Sequence, residues 1–504
     1  MSGPAGAADR VVLGAGITAA LIAAAVALGP LEGLPHVTDE VAYTLQARLF
    51  AGLSRTGPPT DQPSMLSYPF WSAEGPAHSP FPPGWPALLA LGEGLGLGWA
   101  VNPLLVGLVP LIVARLAALS GAPARASAWA AALSPGLWAL GASRMAHTSV
   151  LVALGALAVL VLSGPLRTAR AGALAGLAAA YVVLARPFDA LLVAGPLLAW
   201  GLLRAEGAAA RAALVGLPAV GAGLLLLDNA LLTGDLLTFP MRAWHDAWTD
   251  PPRPGCDRLG FGPDVGCAPI GGAYGHSPAR AADAAWAALL RLDRLLIGVP
   301  GGLLVALVGL GRLRLWPALG LGGALICGHA LYWSPGLAYG ARFYHPLYLV
   351  LPLGLAAALA PLGRWAPLAL GAAMLAGGSG VAAALADRLW CVDGGLRARL
   401  EAHGVHDGVV FVAARGQRAA AWPALGVDAF TCDPMLEFGD AMALMDPRLP
   451  PDQGLQLRHA LPDAASTALY LERHQPGRPA WLAVHDVKAD AWEIVALTAG
   501  AAPP

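Results

Sequence analysis

Charged residues are scarce in this sequence. Asp, Glu, Lys and Arg make up 12% of its 504 residues, whereas hydrophobic residues make up 57%. Soluble proteins carry about 25% charged residues, so this chain has too few polar groups to cover a water-exposed globule of its length. Disorder is also excluded, because disordered segments contain few apolar residues. The sequence therefore predicts an integral membrane protein in contact with membrane lipids.

Lysine is almost absent, because Lys488 is the single lysine and the other basic residues counted with it are arginines. The 31 basic and 32 acidic residues give a formal net charge of −1. Proteins that bind nucleic acid carry a concentrated basic surface. With no such excess of positive charge, nucleic acid is excluded as a partner.

Charge-free runs mark the predicted membrane spans, because a helix needs about 20 apolar residues to cross the hydrocarbon core. Val11–Leu31 is too long for a signal-peptide core and no small-residue cleavage site follows it, so we interpret it as an anchor. Ten further runs bring the predicted number of spans to eleven, of which Ala190–Leu203 is the shortest. The others are Gly94–Ala114, Ala126–Ser143, Ala146–Leu166, Ala171–Ala185, Ala212–Leu227, Leu295–Gly311, Trp316–Trp333, Phe343–Leu362 and Ala366–Ala386.

The placement of arginine predicts the orientation, because cytoplasmic loops carry an excess of basic residues. If Arg10 is cytoplasmic, alternate loops on the same side hold Arg115, Arg125, Arg167, Arg170, Arg204, Arg211, Arg312, Arg314 and Arg364. The opposite turns hold single arginines, Arg144, Arg186 and Arg342. We therefore expect a cytoplasmic N-terminus and an extracytoplasmic C-terminus. This orientation requires residues 82–98 to form an interfacial helix that does not span.

Three predicted outer segments are long enough to have structure: two loops at about residues 32–98 and 233–293, and the tail at residues 387–504. The tail has ordinary polarity and strand-like runs, which predict a small α/β domain with a modest core. The predicted fold class is mainly α. It comprises a polytopic membrane helical bundle over residues 1–386, with about eleven spans plus interfacial helices, and a small extracytoplasmic α/β domain at the C-terminus.

Four of the five cysteines fall in pairs within predicted outer segments. Cys256 and Cys267 share the second outer loop, and Cys391 and Cys432 share the tail. Outer compartments permit disulfides, so we expect a bridge in each pair, with free thiols as the alternative.

Asp39 and Glu40 lie side by side where the chain leaves the first span. Thr38 before them suits a helix N-cap, and acidic residues in a first turn suit the helix dipole. The apolar residues that follow have helical spacing: Val41, Leu45, Leu49 and Leu53. One interpretation is a capped amphipathic helix resting on the membrane. The other is that Asp39 is a general base or metal ligand at the boundary between water and lipid.

The rest of the first outer loop combines aromatic residues with a stiff proline-rich run at residues 80–84. Interfacial aromatic residues are ordinary membrane anchors, an interpretation that is strongest for Trp85. A metal site formed by histidines together with Asp39 or Glu40 is an alternative, although these histidines lack the close spacing that is typical of metal ligands. The aromatic residues are Tyr68, Phe70, Trp71, Phe81 and Trp85, and the histidines are His78, His245 and His276.

The pattern Asp39-Glu40-x-x-Tyr43 at the end of the first span, followed by PPGWP at residues 82–86 and an apolar helix, resembles the first extracytoplasmic loop of the glycosyltransferase C (GT-C) superfamily. It is most similar to the bacterial protein O-mannosyltransferase and aminoarabinose transferase branch. Further similar motifs lie in order on predicted outer turns: ASRMAHTS (142–149), ARPFDALL (185–192), DNALLTGDLLTFP (228–240), GFG (260–262) and GARFYHP (340–346). The resemblance covers about residues 11–386.

The resemblance implies a bacterial inner (plasma) membrane glycosyltransferase. Its donor would be a polyprenyl-phosphate sugar and its acceptor an extracytoplasmic protein, lipid or glycan. Asp39 matches the family's essential acidic position, which deprotonates the acceptor or helps to hold a metal, and Glu40 is its partner. The resemblance leaves open whether the reaction uses a divalent cation as a cofactor. The expected contacts to the donor phosphate or substrate are Tyr43, His78, Arg186, Asp189, Arg342 and Tyr344. The lysine that relatives often carry near His78 is absent.

Each of these residues also has a structural interpretation. Outer-turn arginines extend toward lipid phosphates, Asp189 is one helical turn from Arg186 and can pair with it, and His147 suits a helix end. Asn229 and Asp235 can cap a helix. The alternative function is a secondary transporter or flippase, although such proteins place ionisable groups in mid-membrane and here these groups lie at helix ends.

Overall fold

The computed structural model describes most of the chain. The described residues are 5–59, 76–248, 253–269, 273–336, 338–363, 365–387, 389–392, 394–425, 427–432, 444–450, 452–489 and 491–497. Tyr68, Phe70, Trp71 and Arg364, all named above, lie outside them.

Helices dominate the chain up to residue 386. In order they are α1 (Ala5–Leu28), α2 (Thr38–Ala51), α3 (Gly84–Glu93), α4 (Val101–Val106), α5 (Val109–Leu119), α6 (Ala124–Ala132), α7 (Pro135–Ala142), α8 (His147–Leu162), α9 (Ala169–Ala185), α10 (Pro187–Asp189), α11 (Gly195–Arg204), α12 (Ala208–Thr233), α13 (Pro240–Trp248), α14 (Pro278–Ile297), α15 (Gly302–Arg312), α16 (Trp316–His329), α17 (Leu351–Leu359) and α18 (Trp365–Ala386). A π turn (Ala190–Ala194) joins α10 to α11, and a 3₁₀ helix (Arg342–Leu349) precedes α17.

Several of these helices can cross a membrane by length and composition. Among the described residues five continuous helical stretches do so, and counting three sharply bent pairs as one span each raises the number to eight. The five are Arg10–Leu28, Gly98–Leu119, Pro187–Arg204, Ala208–Thr233 and Leu368–Cys391. The chain is thus a multi-pass membrane protein, whereas the count of eleven spans and the orientation of the termini stay predictions.

Several predicted spans are interrupted in the structure, and two of the interruptions have a clear local cause. The stretch Ala126–Ser143 divides into α6 and α7 at Pro135, because proline disfavours the helical conformation of the residue before it. The stretch Leu295–Gly311 divides because α14 ends at Gly298, a left-handed C-cap with φ 81°. The predicted non-spanning helix in residues 82–98 is present as α3, of 10 residues.

Helix α2 lies between the membrane helices and the tail. Tyr43 and Ala47 pack into the core of the helical module, whereas Val41 and Leu45 belong to a cluster shared with tail residues such as Leu457. Helix α2 therefore packs against protein on two sides, in contrast to the interpretation of a helix resting on the membrane.

Three further details of the first outer loop differ from prediction. The N-cap of α2 is Val37 rather than Thr38, and Leu53 lies beyond the helix and is 97% exposed. Trp85 is fully buried rather than interfacial, and its indole N–H donates to the carbonyl of Arg144.

The tail is an α/β domain. Two short strands, β1 (Gly57–Pro59) and β2 (Pro76–Ala77), lie in the first outer loop, and the elements of the tail are α19 (Gly395–Ala402), β3 (Gly408–Arg415), β4 (Ala419–Trp422), β5 (Val427–Thr431), β6 (Leu455–His459), α20 (Ala464–His474), β7 (Ala480–Asp486) and β8 (Ala491–Leu497). The four-stranded sheet of the tail has the order β6-β3-β7-β8, in which β3 runs parallel to β6 and β7, and β8 runs antiparallel to β7. Helix α20 packs on one face through Tyr470, next to Val409 and Phe411.

Both predicted disulfides are confirmed. Cys256 is bonded to Cys267 and Cys391 to Cys432, with Cα–Cα distances of 5.0 and 5.7 Å. Among the described residues Cys327, on α16, is a free cysteine.

Candidate active site

Asp39 and Arg342 form an ion pair at the N-terminal end of α2. The Nη1 of Arg342 donates to Oδ2 of Asp39 at 2.8 Å, and the two side chains are 13% and 20% exposed. Asp39 is thus a carboxylate that water and a substrate can reach, held beside a fixed positive charge.

A strained turn places Arg342. Tyr339 has φ 53° and Gly340 has φ 77°, and a Cβ on Gly340 would come within 2.1 Å of Leu295 Cδ1. Left-handed backbone at a residue other than glycine costs energy and persists only where the surroundings fix it. Here the turn directs Tyr339 toward Glu40 and Arg342 toward Asp39.

Glu40 is buried, and its carboxylate is fully engaged. It accepts hydrogen bonds from the backbone N–H groups of His36 (2.8 Å), Val37 (3.0 Å) and Arg144 (2.5 Å), and from the hydroxyl of Tyr339 (2.8 Å). Burial raises the pKa of Glu40 above its ordinary value, although these donors act against the rise. A carboxylate so enclosed fixes the start of α2 and has no free face for a substrate.

Arg186 lies at the junction of α9 and α10, where Pro187 ends the first helix. Its Nε donates to Asp189, which confirms the pairing expected from their spacing. Its Nη1 donates to Nε2 of His147 at 2.9 Å. On the far side of Asp189, Nε2 of His329 lies 3.4 Å from Oδ1. Asp189 and His147 thus hold the guanidinium from two directions.

The ring of Phe343 brings the two arginines into one site. The guanidinium carbon of Arg186 is 5.6 Å from the ring centroid, and that of Arg342 is 5.4 Å from it. Tyr43, one turn after Asp39, feels the charges of Asp39, Arg186 and Arg342, and burial together with Asp39 raises the pKa of its hydroxyl. Asp39, Arg186 and Arg342 therefore converge, as their positions on predicted outer turns required.

Two buried histidines beside Arg186 leave nitrogens without partners. The rings of His147 and His345 are 5.0 Å apart, and His345 contacts the carbonyl of Arg342 through Nδ1. The Nδ1 of His147, the Nε2 of His345 and the Nε of Arg342 have no hydrogen-bond partner. Unpartnered buried polar atoms are rare in proteins, so these mark a place built for a polar ligand.

A shallow cleft opens beside this cluster. One wall is a row of alanines on α14, and the other carries His329, Phe343 and Tyr344. Tyr344, predicted to contact substrate, is 4% exposed and lines this cleft. The cleft is thus lined mainly by apolar residues and includes Phe343, over whose ring both arginines lie.

His78 lies apart from these residues. Its Nδ1 contacts the carbonyl of Pro76 at 3.0 Å, burial lowers its pKa, and the charges acting on it are those of Arg55 and Asp228. Those two form a bidentate pair of 2.5 and 2.9 Å. In the part of the chain that the structure describes, no contact joins His78 to Arg186 or Arg342.

Among the described residues, the alternative metal site is not assembled, because His78, His245 and His276 do not come together with Asp39 or Glu40. His276 contacts the carbonyl of Ala330, and His245 pairs with Asp257 at 3.2 Å. The described residues place His245, Asp257 and Cys267 within metal-ligand distance of one another, but the sulfur of Cys267 is in a disulfide and does not offer the thiolate that binds metal.

Sequence reasoning missed His329 and Tyr339. Each is an isolated polar residue at the end of an apolar run, which by itself does not distinguish a site residue from a helix cap. Phe343 stood within the quoted motif, but the position of its ring between two arginines depends on contacts between distant segments.

No family model matches this sequence, and no curated protein sequence matches it. Three solved structures are similar. The apo structure of ArnT from Cupriavidus metallidurans is 14% identical, with 96% of this chain and 97% of that chain covered and a TM-score of 0.49. The structure of the same protein bound to undecaprenyl phosphate is 15% identical, with coverages of 85% and 76% and a TM-score of 0.44. A mutant of the arabinofuranosyltransferase AftD from mycobacteria is 18% identical, with coverages of 93% and 36% and a TM-score of 0.38.

Proposed function

We propose that this protein is a membrane glycosyltransferase that moves a sugar from a polyprenyl-phosphate donor to an extracytoplasmic acceptor. The observation that carries the proposal is the juxtaposition of Asp39, Arg342 and Arg186 around Phe343. It joins a reachable carboxylate to two guanidinium groups at the end of an apolar cleft. A lipid-linked phosphate sugar needs each of these three features.

Asp39 is the proposed general base. The acceptor oxygen attacks the anomeric carbon of the sugar, its proton passes to the Asp39 carboxylate, and the bond between the anomeric carbon and the phosphate oxygen breaks with its electron pair staying on the phosphate. A positioned carboxylate contributes about 10²–10⁴-fold to such a step. Glu40 has a positioning role in this scheme, since its four donors occupy it.

Arg342 and Arg186 are the proposed phosphate ligands. Guanidinium groups form charge-assisted, often bidentate hydrogen bonds with phosphate, and such donors stabilise the negative charge that develops on the leaving group. Arg342 keeps an unpartnered Nε, and His147, whose Nε2 accepts from Arg186, offers a further unpartnered donor in its Nδ1–H. The phosphate would therefore meet several donors at once.

The charge around Asp39 favours an anion over a divalent cation. Arg342 pairs directly with the carboxylate, and Arg186 lies on the same phenyl ring. Two fixed positive charges repel a metal ion from the one reachable carboxylate that the described residues place there. The proposed reaction therefore runs through the side chains of the chain and requires no metal ion.

The cleft is the proposed path of the first isoprene units of the donor. Its alanines and aromatic rings match an unsaturated hydrocarbon, whereas a transported hydrophilic solute would need polar lining. This feature favours a glycosyltransferase over the alternative transporter, because the two arginines gather at one lining residue of the cleft, Phe343, rather than being spread along a polar path.

The test is a transfer assay in reconstituted vesicles with a panel of radiolabelled polyprenyl-phosphate sugars. Vesicles without protein and vesicles with the Asp39→Asn variant are the controls. We expect one donor to lose its label to an acceptor fraction or to water only with the unaltered protein. Translocation of an intact donor across the bilayer, without cleavage of the sugar–phosphate bond, would instead establish a flippase.

A further inference from the structure

His36 lies at the meeting point of α1, α2 and the tail. It is 3% exposed, and its Nδ1 is 2.9 Å from the carbonyl oxygen of Leu389. Its Nε2 is 3.1 Å from the carbonyl oxygen of Leu31. Both ring nitrogens thus lie within hydrogen-bond distance of backbone carbonyl oxygens, one in the tail and one after α1. Its backbone N–H donates to Glu40.

The segment of the tail that receives His36 is rigid. This segment, which we name the neck, comprises residues 389–392 and Gly394. Trp390 and Cys391 have φ values of 56° and 67°, a conformation that non-glycine residues keep only when the surroundings impose it. The disulfide from Cys391 to Cys432 ties the neck to β5.

The neck also holds the chain just before His36. The backbone N–H of Gly394 donates to Oε2 of Glu32 at 3.0 Å. Farther along, Nη1 of Arg48 at the end of α2 donates to the carbonyl of Met445 at 3.0 Å. The helix that carries Asp39 is therefore bound to the tail before its first residue and at its last turn.

We infer that His36 is a positioning residue through which the neck of the C-terminal domain sets the place of Asp39. The inference rests on the proposed function for its catalytic consequence, but the mechanical link from the neck through His36 to Glu40 and α2 stands on contacts alone. A displacement of about 1 Å at a reacting group can cost about 100-fold in rate, so a small shift of α2 is enough to be measured.

Two amide variants test the two hydrogen bonds of the His36 ring separately. In His36→Asn the side-chain amide nitrogen is bonded to Cγ, as Nδ1 is, and can still donate to Leu389. In His36→Gln the amide nitrogen lies one bond farther, near the place of Nε2, and can donate to Leu31 but not to the neck. Both remove the ring, so both carry a similar loss of packing.

The experiment measures transfer kinetics and hydrogen–deuterium exchange of the backbone amides of residues 38–44. For His36→Gln we expect kcat to fall about 10-fold or more, with the donor KM within about twofold of the unaltered value and with faster exchange in α2. For His36→Asn we expect kcat within about threefold of the unaltered value and exchange unchanged. Equal kinetics and equal exchange in the two variants would overturn the inference.

A second pair protects the test against poor folding. Glu32 is exposed, so its replacement leaves the core intact. Glu32→Gln keeps an oxygen for Gly394, whereas Glu32→Ala removes it, and we expect only the alanine variant to exchange faster in α2. If the unaltered protein transfers no sugar while the exchange differences are present, the proposed function fails and the positioning link remains. If exchange is the same in all four variants, the link fails whatever the activity.

Discussion

Asp39 and Arg342 are separated by 303 residues in the chain, and a 2.8 Å hydrogen bond joins them. Asp39 lies in the first turn of α2, and Arg342 begins the 3₁₀ helix before α17. Their pairing joins an early and a late segment of the helical module. It also means that the proposed base and a proposed phosphate ligand hold each other in place before any substrate arrives.

We predict that Asp39→Asn lowers transfer at least about 100-fold, because the amide cannot take the proton of the acceptor. The amide is close in shape to the carboxylate, so the protein should still insert and fold, although Arg342 loses its counter-charge and some stability is lost. Initial rates in vesicles and elution from a size-exclusion column measure the two properties. Asp283→Asn, at an exposed position on α14, is the matched control and should retain full activity. Full transfer by the Asp39→Asn protein would contradict the assignment.

We predict that Arg342→Lys weakens donor binding as well as turnover. Lysine keeps the charge but loses the planar fork that pairs with phosphate and stacks on a ring. Both the donor KM and kcat should therefore change, and Arg342→Ala should be worse on both. Arg312→Lys, on the end of α15 away from the site, is the control. Unchanged donor KM in both Arg342 variants would place the phosphate elsewhere.

We predict that Asp189→Asn destabilises the protein, because it leaves the guanidinium of Arg186 largely buried without its counter-charge. Breaking such a pair costs about 3–5 kcal/mol, and thermal unfolding in detergent should show the loss. The double variant Arg186→Met with Asp189→Leu removes both charges and should recover most of the stability while transferring no sugar. Equal instability of the single and double variants would show that packing rather than charge is responsible.

We predict that the tail is extracytoplasmic. The test uses a Cys327→Ser background, so that the one free thiol among the described residues is removed. An impermeant thiol reagent should then label Glu401→Cys in intact cells. Arg170→Cys, at an exposed position that the arginine pattern places inside, should react only after lysis. The reverse pattern of labelling would invert the topology.

Local spacing was enough to predict part of the site. Arg186 and Asp189 are three residues apart, so a helical turn brings them together, and the structure contains that ion pair. The pairs of cysteines were predictable because each shares a loop or domain. The start of α2 was predictable to within one residue from Asp39 and Glu40, since acidic residues suit a first turn.

Contacts between distant segments could not be predicted in this way. Glu40 looks like Asp39 in the sequence, but the donors that enclose it come from Arg144 and Tyr339 as well as from its own turn. Trp85 has the composition of an interfacial anchor and is instead buried beneath Arg144. Burial of these side chains depends on how α2 and α3 pack on later helices, and the hydropathy of the sequence does not predict that packing.

The contacts of α2 with the neck have a consequence for biosynthesis. Glu32, His36 and Arg48 leave the ribosome more than 300 residues before their partners Gly394, Leu389 and Met445 are made. Membrane insertion of α1 therefore cannot by itself complete the surroundings of Asp39. Those surroundings are complete only after the tail has folded and its disulfide has formed, so the last step of folding joins two segments that are distant in the chain.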